Sequence, residues 1–207
     1  DAFLFFRKVG IPMTKIKFGI DIDGTVTRPD TLLPYLNKDF GLQLTIQDIV
    51  QYDIASILNI DRRVMGEWFK KNEVQIYEES PLYDGAKEII SKWVSIGHLY
   101  FISARKDYLL QITEDWFNKN QMPFDHIKLV GSHDKVSVIK HYNIDIFFED
   151  KHDNAVQISE ECKIPVILFN SSYNQGTIPQ NVIRVNSWFE ASQWVNDWLY
   201  QKDKHPI

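Results

Sequence analysis

Apolar residues along this chain fall into two alternating patterns from Lys15 onward. Short near-continuous runs occur at 17–20, 99–102, 127–130, 144–148, 166–169 and 182–185. Between them, apolar positions recur every three or four residues, as in Ala86, Ile89, Ile90, Trp93 and Val94, or Trp188, Ala191, Trp194, Val195 and Trp198. A run apolar along its whole length has no face to give to water, so it predicts a strand covered on both sides. The three-to-four spacing predicts amphipathic helices lying on those strands. Strands separated by single helices make a parallel sheet, and the fold class is α/β, a doubly wound Rossmann-like sheet.

The alternation fails between Thr27 and Ser80. No strand pattern occurs there, but helix starts do. Thr45 with Asp48 has the spacing of a helix N-terminus, and Asp61 precedes an amphipathic run through Val64, Met65, Trp68 and Phe69. These residues predict a small helical cap, 27–80, inserted after the first strand and covering one end of the sheet. The core domain is then 13–26 together with 81–200. Residues 1–12 read as a leader that need not be native, since Met13 begins a plausible start; residues 201–207 read as a polar, frayed tail.

Composition narrows the partners. The chain has 207 residues, one cysteine and a formal net charge of -5. A chain of this length buries roughly 70% of its unfolded surface without covalent staples, and the lone Cys162, on an apolar helix face, fits a reducing, cytoplasmic setting and an inert role. An acidic surface is a poor match for a nucleic-acid polymer. No apolar run approaches the roughly 20 residues of a membrane span. An anionic ligand must therefore meet local positive charge or a metal. Oligomeric state is not readable from these features.

In a parallel sheet, ligands sit beyond the carboxyl ends of the strands. After the first run come Asp21, Asp23, Gly24 and Thr25, and after the second comes Ser103. Lys135 opens the helix after the third, and Glu149 and Asp150 close the fourth, with Asp153 a turn later. Acids crowded on one rim repel one another, and one or more takes a raised pKa unless a cation intervenes. Mg2+, a hard cation that prefers oxygen donors, is the natural partner.

These residues carry a resemblance. FGIDIDGTVT resembles the DxDGT motif of the haloacid dehalogenase (HAD) superfamily, whose members are mostly phosphatases. FISAR, GSHDK and FFEDKHDN follow in that superfamily's order, over about residues 15 to 199. The helical insertion is similar to its C1 cap, and EDKHDNA followed by PVILFN resembles bacterial nucleotidases grouped with the 5′(3′)-deoxyribonucleotidases.

The resemblance implies a phosphomonoester hydrolase working on a small phosphorylated metabolite, most naturally a nucleoside monophosphate. A sugar-phosphate phosphatase is the alternative within enzymes, and a non-catalytic phospho-ligand sensor the alternative outside them. It implies Asp21 as the nucleophile that forms an aspartyl-phosphate, and Asp23 as general acid and then base. Ser103 and Lys135 would hold the phosphoryl oxygens. The metal would rest on Asp21, the backbone carbonyl of Asp23, and Glu149 or Asp150. Glu149 departs from the pattern of two consecutive aspartates.

Other residues read two ways. Arg105 contacts substrate or cap, or is a surface arginine. Asp153 supports the metal or starts a helix. Tyr35, Tyr52, Trp68, Phe69 and Tyr77 stack on a base or pack the insertion, with packing the expectation for at least one of Trp68 and Phe69. Arg62, Arg63, Lys70 and Lys71 steer phosphate esters or form a solvated helix face, the latter being the expectation, while His133 and His152 are hydrogen-bonding residues.

Overall fold

The structure, a computed structural model, describes residues 15–204; the expected leader at 1–12 lies outside them. Six parallel strands form one sheet: β1 (Ile16–Ile20), β2 (Gly97–Ser103), β3 (His126–Leu129), β4 (Ile146–Glu149), β5 (Val166–Phe169) and β6 (Val182–Val185). Their spatial order is β3-β2-β1-β4-β5-β6. Eight α-helices accompany them: α1 (Leu33–Phe40), α2 (Ile54–Leu58), α3 (Arg62–Glu79), α4 (Ala86–Trp93), α5 (Leu110–Lys119), α6 (Val136–Tyr142), α7 (His152–Cys162) and α8 (Trp188–Lys204). None of them is long and apolar enough to cross a membrane.

Strand alternation divides the core into two halves. Phe18, Ile20, Leu99, Phe101, Ile146, Phe148, Ile167 and Phe169 face one side, where α4, α5 and α8 supply Ile89, Ile90, Trp93, Trp116, Phe117 and Trp188. Tyr100, Ile102, Phe147, Val166 and Leu168 face the other, against Val136 and Ile139 of α6 and Ala155 and Ile158 of α7. Each such side chain contributes roughly 1.5–3 kcal/mol by leaving water. Aromatic stacking adds to this on the first side: Phe18 lies on Trp93 with ring centroids 4.7 Å apart, and Phe148 on Trp188 at 5.6 Å. Cys162 packs against the second half, and burial pushes its thiol above the usual range.

Several bounds differ from expectation. β4 starts at Ile146 because the Asp145 carboxylate, ahead of it, accepts the Lys17 N–H at 2.9 Å. Ser103 is the last residue of β2 rather than the first of the following loop, while Glu149 closes β4 as expected and Asp150 lies just beyond it. The tail expected from 201 is helical through Lys204, since the apolar spacing of α8 runs on into Leu199. Val64 and Val94, read as apolar-face positions, are exposed. Thr45 and Asp48 do open a helix, but only a 3-10 turn at Ile46–Asp48, whereas Asp61 caps α3 by accepting the N–H groups of Arg63 and Val64.

Only helices and turns lie between β1 and α4, apart from one antiparallel bridge, Thr27 to Leu82. This insertion has a small core of its own, Leu33, Leu36 and Ile49 with Trp68 and Met65 beside them. It seats on the sheet through Ile76 and Tyr77 of α3, which pack on Leu109 and Leu129.

Candidate active site

The strand order reverses direction between β1 and β4, the crevice where open α/β sheets bind ligands. Asp21 follows β1 directly, held beside β4 by its N–H, which donates to the Phe148 carbonyl at 2.9 Å. The chain then turns sharply: the N–H groups of Thr25, Val26 and Thr27 all converge on the Ile22 carbonyl. Thr27 ties this loop, its Oγ1 accepting the Gly24 N–H and donating to Ile22 O, each at 3.3 Å. Gly24 has φ of 77°, and a Cβ there would collide with the Asp150 carboxylate and lie 3.1 Å from the Tyr173 hydroxyl. Only glycine meets both demands.

Lys135, the residue before α6, is buried with its Nζ 2.8 Å from Asp21 Oδ1 and 2.9 Å from Glu149 Oε2. Glu149 is fully engaged. Its Oε2 also takes Asn154 Nδ2, and its Oε1 accepts the N–H groups of Asp150 and Lys151 at 3.2 and 3.1 Å. Asp150 differs. Its Oδ2 accepts the Tyr173 hydroxyl at 2.5 Å, while its buried Oδ1 has no hydrogen-bond partner.

Asp21, Glu149 and Asp150 each offer a carboxylate oxygen within 4.8 Å of the others. Three carboxylates against one ammonium leave two uncompensated negative charges, the charge of one divalent cation. Burial, with Glu149 and Asp23 adding to it, pushes the Asp21 pKa up to about 8 despite Lys135. Burial likewise raises Asp150, with Glu149 and Asp21 adding to it. Burial works against ionised Glu149 too, but Lys135 and the backbone donors outweigh it and hold its pKa down. Lys135 itself, despite burial, is raised by Asp21 and Glu149 and stays charged. The donor set and the orphaned Asp150 oxygen fit a small, oxygen-preferring cation such as Mg2+.

Asp23 lies on the open side of the loop. Arg105 grips it with two bonds, Nη2 to Oδ1 at 2.7 Å and Nε to Oδ2 at 3.0 Å. The guanidinium is itself buried, bonded to Thr113 Oγ1 at 3.1 Å and stacked 3.9 Å over the Tyr77 ring of α3. The Arg105 N–H donates to Ser103 Oγ at 3.2 Å, which leaves the serine O–H free to donate elsewhere. Asp21, Asp23, Ser103, Arg105 and Asp150 line one cavity of about 330 Å³. Its opposite wall belongs to the insertion and is mainly apolar: Leu32, Leu33, Ile49, Ile54, Phe69 and Ile76, with Tyr52 and Tyr77, while Thr31 and Arg28, the latter paired with Asp30, add polar groups.

Residues 15–202 match the family model described as 5′ nucleotidase, deoxy (pyrimidine), cytosolic type C protein, NT5C. The protein belongs to the NT5C family. It is 47% identical over 183 residues to "Putative nucleotidase BH1399" of Halalkalibacterium halodurans, covering 88% of this chain and 94% of that one. "Nucleotidase CA_C3379" of Clostridium acetobutylicum is 31% identical over 192 residues, 93% of this chain and 99% of that one. Among solved structures, "the putative HAD-hydrolase YfnB from Bacillus subtilis bound to magnesium" has a TM-score of 0.60 at 14% identity. It covers 89% of this chain and all of that one. The NT5C membership makes this an HAD-type phosphatase of the nucleotidase group, a phosphomonoester hydrolase built on the HAD fold.

In this NT5C protein the four separate sequence motifs come together on one rim, from β1, β2, β4 and the start of α6. Tyr52, Phe69 and Tyr77 line the cavity, but Tyr35 and Trp68 turn away, bonding to Glu79 and Asp39. Arg62 and Arg63 pair with Asp53 and Glu67 on the exposed face of α3, where Lys70 and Lys71 are also exposed. Asp153 is exposed and meets His152, away from the acidic cluster. His133 lines the cavity rim, held below its usual pKa by burial and by the charges of Lys151 and Lys135. Sequence reading missed Tyr173, Asn154, Asn174 and Thr113. Each is a single polar residue in a loop or helix, with no motif to lift it from the background.

Proposed function

We propose that the protein is a Mg2+-dependent 5′-nucleotidase that hydrolyses (deoxy)nucleoside monophosphates through an aspartyl-phosphate on Asp21. The observation that carries this reading is the two-sided cavity: carboxylates and a hydroxyl on the sheet rim, an apolar and aromatic wall opposite. A phosphate fits the first and a nucleoside the second. Both cations beside the rim are already paired, Lys135 with Asp21 and Glu149, Arg105 with Asp23. The polar groups on the opposite side are Thr31, the Arg28–Asp30 pair and the Tyr52 and Tyr77 hydroxyls, set in a mainly apolar and aromatic wall that suits a nucleoside. The family description, which names deoxy pyrimidine nucleotidases, supports the same substrate class. Residues 27–80 serve in this reading as the cap that encloses the leaving group.

Asp21 Oδ attacks phosphorus in line as the ester oxygen departs, splitting one difficult displacement into two. Lys135, bonded to the same carboxylate, keeps it oriented and lowers its charge as the anionic ester approaches. Ser103 donates its free O–H to a non-reacting phosphoryl oxygen. Asp23 gives the departing oxygen a proton, then takes one from the water that attacks the aspartyl-phosphate. Arg105 holds both oxygens of Asp23 at this post. Mg2+ would rest on Asp21, Asp150 Oδ1 and the Asp23 carbonyl, supplying positive charge that offsets repulsion between nucleophile and phosphate. Glu149, saturated by Lys135 and backbone N–H groups, serves to fix that lysine.

Phosphate release tests this across nucleoside monophosphates, sugar phosphates and p-nitrophenyl phosphate, with and without Mg2+. Release from nucleotides only with Mg2+, and its loss in Asp21→Asn with the fold intact, is the expected result. Release from sugar phosphates alone overturns the substrate class, and an Asp21→Asn variant retaining more than a few per cent of turnover overturns the nucleophile.

A further inference from the structure

We propose that Tyr173 is a positioning residue for the cation, and that its loop ties the cation site to the seating of the helical insertion. The proposal rests on the Mg2+ reading above and extends it to residues outside the acidic cluster. Tyr173 lies in the loop after β5. Its hydroxyl donates to Asp150 Oδ2 at 2.5 Å. That bond fixes the carboxylate about its terminal torsion, which is otherwise broad and two-fold. With Oδ2 held, Oδ1 is the oxygen presented, and it is the one left buried and unpartnered. The next residue secures the backbone: Asn174 Nδ2 donates to the Asp150 carbonyl at 2.6 Å and to the Phe169 carbonyl at 2.7 Å. The Asp150 side chain and main chain are therefore both held by one short loop.

The same loop grips the insertion. Ser172 Oγ lies 2.5 Å from the Ile46 carbonyl and 2.7 Å from the Ile49 carbonyl. A hydroxyl has a single proton, so it donates to these two acceptors in a shared bond. The Tyr173 ring packs with the insertion's core of Leu33, Leu36 and Ile49, and meets Tyr52 edge-on at 5.9 Å. Tyr173 is thus one rigid side chain with its ring in the insertion and its hydroxyl on the candidate ligand. If the ring leaves with the insertion, the hydroxyl leaves Asp150. Anything that stabilises the presented form of Asp150 then stabilises the seated insertion, and the linkage is reciprocal.

Tyr173→Phe tests this, because it removes the hydroxyl and keeps the ring in its packing. Isothermal titration of the full chain with MgCl2 alone gives affinity without reference to turnover. Loss of a bond supporting a metal ligand typically weakens affinity about 10–100-fold, the effect expected here. Hydrogen exchange gives the linkage: Mg2+ should slow exchange over residues 46–58 in the unaltered protein and fail to do so in Tyr173→Phe. Ser172→Ala, which leaves Asp150 and its tyrosine bond intact, should raise exchange over 46–49 without Mg2+ and weaken Mg2+ binding less than Tyr173→Phe does. Equal Mg2+ affinity in Tyr173→Phe, with an unchanged melting curve, overturns the positioning role. Mg2+ protection of 46–58 that survives in Tyr173→Phe overturns the linkage. Absence of Mg2+ binding by the unaltered protein instead overturns the metal reading beneath both.

Discussion

Replacing the proposed nucleophile by asparagine should make the metal-free protein more stable. Asp21 is buried between Glu149 and Asp150, with Lys135 its one close cation. Its pKa rises from 3.8 to about 8 with the attraction of Lys135 already included, so the site as a whole prefers the neutral form. For a carboxyl raised on folding, no stability is lost below the unfolded value. Between the two values the unfolded chain releases the proton and the folded chain keeps it, so stability falls as pH rises, until the folded group ionises as well. At about 1.4 kcal/mol per unit, the cost at pH 7 is about 4 kcal/mol. Asparagine removes it. Lys135 then has only Glu149, so this figure is a ceiling, corresponding to a rise in Tm of roughly 8–16 °C for a chain of this size. Thermal or urea unfolding in EDTA at pH 5, 7 and 8 measures it, with the gap between Asp21→Asn and the unaltered protein widening as pH rises. Saturating Mg2+ should narrow the gap, since a cation at about 100 times its Kd returns about 2.7 kcal/mol to the protein that binds it. An Asp21→Asn variant no more stable than the unaltered chain in EDTA at pH 7 would refute the electrostatic reasoning.

Two further outcomes follow from the same geometry. Mg2+ requires ionised Asp21 and Asp150, both raised by burial, so its affinity should fall as pH drops from 8 to 6 and its binding should release protons; titration in buffers of different ionisation enthalpy reads this directly, and a pH-independent Kd contradicts it. Arg105→Met frees Asp23 from its two-point grip and should lower kcat for nucleoside monophosphates by about 10²-fold, the scale of a misplaced general acid. The loss should be smaller for p-nitrophenyl phosphate, whose leaving group needs less protonation, and an equal loss on both would assign Arg105 a structural role only.

The fold was legible because burial on both faces writes itself into the strands. A run such as Phe147-Phe148 has no polar position to give to solvent, and period-two alternation then sends Phe147 to one half of the core and Phe148 to the other. The insertion was legible by contrast, as the one stretch without such runs. Bounds were less so. The limit of β4 depends on Asp145 taking a backbone N–H across the sheet, and that of α8 on Leu199 finding a neighbour; neither is a local property. Asp21 and Asp23 could be proposed because they directly follow a buried strand and carry the DxDGT resemblance. Arg105 could not be placed, because its role depends on Asp23, Thr113 and Tyr77, residues far apart in sequence.

Glu149 and Asp150 illustrate where residue type stops being informative. As adjacent acids closing one strand they are interchangeable in the sequence, and either serves as a ligand. Alternation along the chain separates them: consecutive side chains at a strand end point to different surroundings. Glu149 enters a pocket already holding Lys135, Asn154 and two backbone N–H groups, which satisfy both its oxygens. Asp150 emerges under Gly24, where one oxygen meets Tyr173 and the other meets nothing. The longer glutamate side chain follows from this division, since it must reach Lys135 while accepting from its own neighbours' N–H groups. Glu149 thus leaves Asp150 Oδ1 as the unpartnered candidate ligand and, through Oε2, holds Lys135 beside Asp21.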